Sequence, residues 1–205
     1  NGRNINDGCG STSPDLLKLT VAGVRADAGI GLDGDGDRVV MVDHLGRVVD
    51  GDQLLYVLAR ARQATGELQG PVVGTVMSNL GLELALKGLG VAFLRAAVGD
   101  RHVLQMLRTH GGVLGGEASG HLLCLDKTTT GDGLIVALQV LAVMKATGKT
   151  LAELAAGMSR FPQQLINVRV TKRFDAAREP SVASAIAEVE KSLGTRGRVV
   201  LRASG

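Results

Sequence analysis

Residues 71–114 read PVVGTVMSNLGLELALKGLGVAFLRAAVGDRHVLQMLRTHGGVL. Apolar runs of strand length, Pro71 to Val76 and Val91 to Arg95, alternate here with stretches of helical length, Leu80 to Leu89 and Arg101 to His110. A further strand ends near Leu114 and opens into a glycine-rich loop. This alternation predicts a largely parallel sheet with helices on both faces, because each parallel crossover lays its helix over the sheet. The fold class is therefore α/β, with mixed-to-parallel sheets.

The pattern extends in both directions. Upstream, 1–14 is punctuated by Gly, Asn, Ser and Thr and reads as a loop. Asp15 to Val24 reads as a helix, and Ala28 to Leu32 and Val39 to Asp43 as two strands. A helix is expected over Gln53 to Thr65, with Asp52 as its N-cap, Gly66 as its stop and an apolar stripe of Leu54, Leu55, Leu58 and Ala61. Downstream, Asp132 to Thr147 and Thr150 to Met158 read as helices before Phe161-Pro162 interrupts them. Beyond that break, Leu165 to Thr171 alternates as a strand, Pro180 to Leu193 is helical, and Arg198 to Arg202 starts another strand. Domain boundaries are expected near Gly51 and Pro162.

Composition narrows the partners. The 205 residues are 45% hydrophobic and 21% charged, ordinary for a soluble globular chain, which excludes disorder, collagen and coiled coil. Glycine, at 29 residues, is about twice its usual share, whereas aromatics make up 2%. A surplus of 23 basic over 20 acidic residues points to no nucleic-acid or membrane partner, and base-stacking platforms need aromatics this chain lacks. The longest apolar runs, such as Leu134 to Met144, are too short to span a bilayer. Cys9 and Cys124 have neither metal-ligand nor disulfide-framework spacing, and no signal peptide is evident, so a cytoplasmic location is expected. A start at Asn1 without Met and a stop at Gly205 read as a piece of a longer chain.

Asp33-Gly34-Asp35-Gly36-Asp37-Arg38 is the most informative hexapeptide. Three carboxylates at i, i+2 and i+4 of an extended loop can point to one side, and the intervening glycines let them reach one hard cation. Oxygen-only ligation suits Mg²⁺, which keeps positions for water or phosphate. An EF-hand fails because Arg38 and His44 stand where Gly and Glu are required. A haloacid-dehalogenase-type phosphatase would place Thr or Val where Asp37 sits, and an acidic surface turn is the plain alternative. Gly29, Gly31 and Gly34 satisfy a dinucleotide fingerprint without the helix it requires, and Gly148-Lys149-Thr150 lacks the first glycine of a P-loop.

Other loops carry ligand chemistry more weakly. Glu117, Ser119 and His121 in GGEASGH place an acceptor, a hydroxyl and an imidazole within five residues, the mixture that sugar hydroxyls need, or else form a polar turn. Asp100 is the expected N-cap of the helix after Val98-Gly99, and Arg101 then stands at a positive helix end suited to an anion. Lys127 and the threonines of DKTTTGDG (126–133) suit a phosphate about as well as capping and solvation.

Together these loops resemble the phosphoglucosamine mutases of the α-D-phosphohexomutase superfamily, along essentially the whole chain. The pieces that carry the resemblance are DGDGDR (33–38), GTVMSNLGLELAL (74–86), VGDR (98–101), GEASGH (116–121), DKTTTGDG (126–133), FPQ (161–163) and GRVVLRASG (197–205). The resemblance implies four domains around one cleft, of which 1–51 is the C-terminal part of domain 2, 52–163 domain 3 and 164–205 the start of domain 4. It implies interconversion of glucosamine 6-phosphate and glucosamine 1-phosphate, toward UDP-N-acetylglucosamine and cell wall, through a phosphoserine and a 1,6-bisphosphate. Phosphomannomutase or phosphoglucomutase activity, or a non-catalytic sugar-phosphate or Mg²⁺-binding module, are the alternatives. Residue by residue it implies Asp33, Asp35 and Asp37 as Mg²⁺ ligands, with Arg38 steadying the transferred phosphate. Glu117 and Ser119 would hold sugar hydroxyls and His121 would lie near the reacting centre. Arg202, Ser204 and Gly205 match the start of the loop gripping the phosphate that is not transferred, and Asp100, Arg101 and Lys127 would be cleft residues. A phosphohexose is the implied substrate, with glucose or glucosamine 1,6-bisphosphate as activator. The serine domain has no counterpart in the chain, Ser11 and Ser13 in GSTSP do not match its context, and the chain alone is expected to be inactive.

Overall fold

In the computed structural model, which describes residues 3–170 and 178–202, the alternation folds as read, with helices between strands. The chain separates into two units between Phe161 and Pro162. The first begins with α1 (Asp15–Val24) and a three-stranded antiparallel sheet, β1 (Ala28–Leu32), β2 (Val39–Asp43) and β3 (Val48–Val49). It continues through α2 (Gly51–Thr65), β4 (Val72–Thr75), α3 (Leu80–Gly88), β5 (Phe93–Ala96), α4 (Asp100–His110), β6 (Leu114–Gly116), β7 (Leu122–Cys124), α5 (Gly133–Thr147) and α6 (Leu151–Ala155).

The second sheet has the order β5-β4-β6-β7. β4 pairs in parallel with both β5 and β6, whereas β7 returns antiparallel on β6. Successive strand residues face opposite sides, and the two cores follow that rule. Val72, Leu114, Leu122 and Cys124 join the cluster built with α2, α3, α5 and α6. Val73 and Leu123 join Val103 and Leu107 of α4 on the other face. The larger cluster also takes in Val39, Met41 and Val49 of the first sheet, so one core runs across the joint at residues 50–51. α2 lies at its centre and is buried all round over 54–59, beyond the single stripe expected. Each fully buried Leu there contributes about 1.5–3 kcal/mol.

Several local expectations change. The N-cap of α2 is Asp50, not Asp52, because Gln53 at the third helical position completes a reciprocal capping box with Asp50. Asp52 turns inward instead and is buried. The N-cap of α4 is Gly99 rather than Asp100, which lies inside the first turn. Among the described residues of the second unit there is a helix, α7 (Pro180–Leu193), followed by a single 3-10 turn at Gly194–Arg196. Neither 165–170 nor 198–202 is a strand. A strand exists through its ladder, and these segments find no partner among the described residues.

Candidate functional site

The acidic hexapeptide is the turn between β1 and β2. Its ends are tied by the Asp33 N–H donating to the Arg38 carbonyl at 3.4 Å and the Arg38 N–H donating to Asp33 Oδ1 at 3.1 Å. This closure brings one oxygen each of Asp33, Asp35 and Asp37 within 4.8 Å of one another. At that range each like-charged pair costs roughly 1–3 kcal/mol near a protein surface. Arg38 offsets part of this, its Nε lying 3.8 Å from both Asp33 Oδ2 and Asp37 Oδ1.

The surroundings of Asp37 shift its carboxyl. Burial pushes its carboxyl above the usual carboxylate range, the facing His121 pulls it back, and Asp33 and Asp35 raise it again. Its Oδ2 is 3.0 Å from His121 Nδ1, while its buried Oδ1 has no hydrogen-bond partner. Three converging carboxylates and an orphaned carboxylate oxygen suit a small divalent cation.

The loop 117–121 is docked onto this turn by backbone. Arg38 and His121 form an isolated antiparallel bridge, and the Val39 N–H donates to the Gly120 carbonyl at 3.1 Å. On the other side the Gly51 N–H donates to the Ala118 carbonyl at 3.1 Å, so the N-terminus of α2 shares the joint. Gly120 is required there: its φ is +96°, and a Cβ would lie 2.1 Å from the Val39 carbonyl oxygen.

A third loop closes over His121. Leaving β7, it is anchored by the Lys127 and Thr128 N–H groups donating to the Cys124 carbonyl. It ends at Asp132, which N-caps α5, and Gly133, whose N–H donates to the Gly36 carbonyl of the acidic turn at 2.8 Å. Between them Gly131 packs closely against the His121 ring, where a Cβ would fall 2.3 Å from Nε2, and that buried Nε2 has no hydrogen-bond partner.

The structure thus gathers Asp33, Asp35, Asp37, Arg38 and His121 with the loop carrying Glu117 and Ser119. Glu117 spends one oxygen on the Gly99 N–H at 2.9 Å, which fastens the 98–101 loop to the site. Ser119 is exposed at the loop tip, and Arg101 is exposed in the first turn of α4. Lys127 is exposed and pairs with Asp126 Oδ2 at 3.3 Å. Arg202 is exposed in the second unit, and Ser204 and Gly205 lie outside the described residues. Sequence reading missed Gly131 as a wall of the imidazole and Gly99 as the donor to Glu117. A glycine in a single sequence does not show what its missing side chain makes room for. Among the described residues no helix is long and apolar enough to cross a membrane.

Residues 50–161 match the family model for the phosphoglucomutase/phosphomannomutase alpha/beta/alpha domain III, and residues 165–205 match that for the C-terminal domain of the same family. The chain is 59% identical over 204 residues to the phosphoglucosamine mutase of Methylococcus capsulatus, a match covering 100% of this chain and 46% of that protein. It is also 59% identical to the phosphoglucosamine mutase of Alkalilimnicola ehrlichii, covering 45% of it. The chain therefore spans somewhat less than half the length of these curated relatives. In fold it resembles the crystal structure of Aspergillus fumigatus N-acetylphosphoglucosamine mutase in complex with GlcNAc-6P and magnesium, with a TM-score of 0.75 at 24% identity over 98% of this chain and 48% of that one. It likewise resembles the product complex of an N-acetylglucosamine-phosphate mutase of the α-D-phosphohexomutase superfamily, with a TM-score of 0.77 at 20% identity over 98% and 48%. With its domain III matched from the N-cap of α2 to the last residue of the first unit, the chain belongs to the phosphoglucomutase/phosphomannomutase family.

Proposed function

We propose that this chain supplies the metal loop and the sugar loop of a phosphoglucosamine mutase, which interconverts glucosamine 6-phosphate and glucosamine 1-phosphate through a phosphoserine and a 1,6-bisphosphate. The observation that carries the reading is the joining of the three-carboxylate turn to the 117–121 loop through the Arg38–His121 bridge. The curated phosphoglucosamine mutases at 59% identity supply the choice of amino sugar. On this reading 1–51 is the C-terminal part of domain 2, 52–163 is domain 3 and 164–205 begins domain 4, with Arg202, Ser204 and Gly205 in a loop for the distal phosphate.

Asp33, Asp35 and Asp37 would hold Mg²⁺, which when bound offsets the charge on a phosphoryl group in transfer. The chain's own residues do the rest. Arg38 stands with its guanidinium over the same carboxylates and is 45% exposed, free to meet a phosphate oxygen. Glu117 keeps one oxygen for a sugar hydroxyl while the other is fixed by Gly99, and Ser119 adds a hydroxyl that both donates and accepts. His121, oriented through Nδ1 by Asp37, lies beside the place where the phosphoryl group moves. Arg101 and Lys127 add positive charge at the rim.

The test is Asp35→Ala in the full-length protein. Asp35 is exposed, so in Asp35→Ala circular dichroism should match wild type and the metal-free melting temperature should hold or rise as the repulsion is relieved, while Mg²⁺-dependent turnover falls at least 100-fold, about 3 kcal/mol of transition-state stabilisation. Near-normal Mg²⁺-dependent turnover in that variant would sink the metal assignment.

A further inference from the structure

The loop 126–132 carries Lys127 and presses Gly131 against His121; backbone bonds and the Asp132 cap pin its two ends. A buried side chain ties it from below as well. Arg62, near the end of α2, is buried under the loop, with its side chain 9% exposed. Its Nη1 donates to Asp126 Oδ1 at 2.9 Å and its Nη2 donates to Gln139 Oε1. Asp126 opens the loop, and Gln139 belongs to α5, the helix that begins where the loop ends. The other oxygen of Asp126 holds Lys127 Nζ at 3.3 Å. One planar guanidinium therefore grips both flanks of the loop at once, a geometry that a lysine ammonium does not reproduce.

We propose that Arg62 is a positioning residue: it staples Asp126 to α5, and so fixes the loop that places Lys127 and seats Gly131 against His121. This rests on the functional reading above for its effect on turnover, but not for its effect on the loop. A guanidinium buried from solvent and met by one carboxylate and one amide oxygen is retained at a cost in desolvation. The two contacts lie 64 and 77 residues away in sequence, both flanking the same loop.

The experiment uses the full-length protein with Arg62→Met, Arg62→Lys and Gln139→Leu. Amide hydrogen exchange is followed in the peptide covering 126–133 and, as reference, in the core peptide 54–61; kcat and KM are measured with glucosamine 6-phosphate well below the melting temperature. Arg62→Met is expected to speed exchange in 126–133 at least tenfold with the reference unchanged, and to lower kcat/KM at least tenfold. Arg62→Lys should fall between it and wild type. If Arg62→Met also loosens the reference peptide, Gln139→Leu, which removes one of the two links, decides by the same readouts. Wild-type exchange in 126–133, or faster exchange with unchanged kcat/KM, overturns the proposal. A wild-type protein that prefers another phosphohexose overturns the functional reading and leaves the staple, which the exchange data test without substrate.

Discussion

Replacing Asp52 with asparagine probes the most perturbed carboxyl in the buried core. Asp52 is 1% exposed; its Oδ2 accepts from the Asn79 N–H at 2.6 Å, and its Oδ1 makes no well-formed hydrogen bond. Burial pushes its carboxyl from 3.8 up to about 6; the Asn79 N–H opposes the rise and the Asp50 charge adds to it. A carboxyl raised on folding contributes stability that is fully present below its unfolded value and lost as pH climbs through its folded value. The window is therefore pH 4 to 6. A rise of about two units corresponds to about 3 kcal/mol lost by the wild type over the whole titration, about 2.5 kcal/mol of it between pH 4 and pH 8. The carboxamide of the variant does not titrate, and any cost of its extra N–H donors is the same at every pH. The stability of Asp52→Asn minus that of wild type should therefore grow by about 2.5 kcal/mol between pH 4 and pH 8. Urea denaturation of the 205-residue chain reads this directly, because Tyr56 is its one tyrosine, there is no Trp, and Tyr56 is buried in α2 one turn from residue 52. A difference that stays constant with pH, or shrinks, would refute the argument.

Asn79 closes the end of the first unit: its Nδ2 donates to the Phe161 carbonyl at 2.8 Å and its Oδ1 accepts from the Phe161 N–H at 2.9 Å. The two bonds to Phe161 are worth about 2 kcal/mol, and Asn79→Ala also loses the N-cap bond that Oδ1 accepts from the Gly81 N–H at 2.9 Å, so the substitution should speed tryptic cleavage after Arg160 at least roughly 30-fold, and an unchanged cleavage rate would contradict the latch. Gly120→Ala sets a Cβ against the Val39 carbonyl at an unfavourable φ, and should destabilise the first unit by about 3 kcal/mol or more in thermal melts, with faster exchange of the Val39 amide.

What the sequence showed depended on whether a signal was local. Periodicity placed α1, β1, β2 and α7 because their apolar pattern and flanking glycines or proline lie within the element itself. The acidic turn was legible for the same reason, since its three carboxylates share six residues. Asp52 was misread as a cap because either of two aspartates preceding the helix suits that role. Choosing between them takes the Gln53 side chain, which folds back on Asp50. β7 was overlooked because three residues, Leu122–Cys124, carry no period of their own and become a strand by pairing with β6. The strands expected at 165–171 and 198–202 are not formed over the described 165–170 and 198–202, by the converse: the pattern is there, without a ladder among the described residues. Arg62 was invisible, since its partners lie 64 and 77 residues away.

Turnover of glucosamine, glucose and mannose 6-phosphates by the full-length protein, with Mg²⁺ and catalytic glucose 1,6-bisphosphate and again after chelation of the metal, bears on both the substrate and the metal loop. Glucosamine 6-phosphate should give the highest kcat/KM, and activity should be lost with the metal. Preference for glucose or mannose 6-phosphate would contradict the amino-sugar reading, and undiminished turnover without a divalent cation would contradict the role given to Asp33, Asp35 and Asp37.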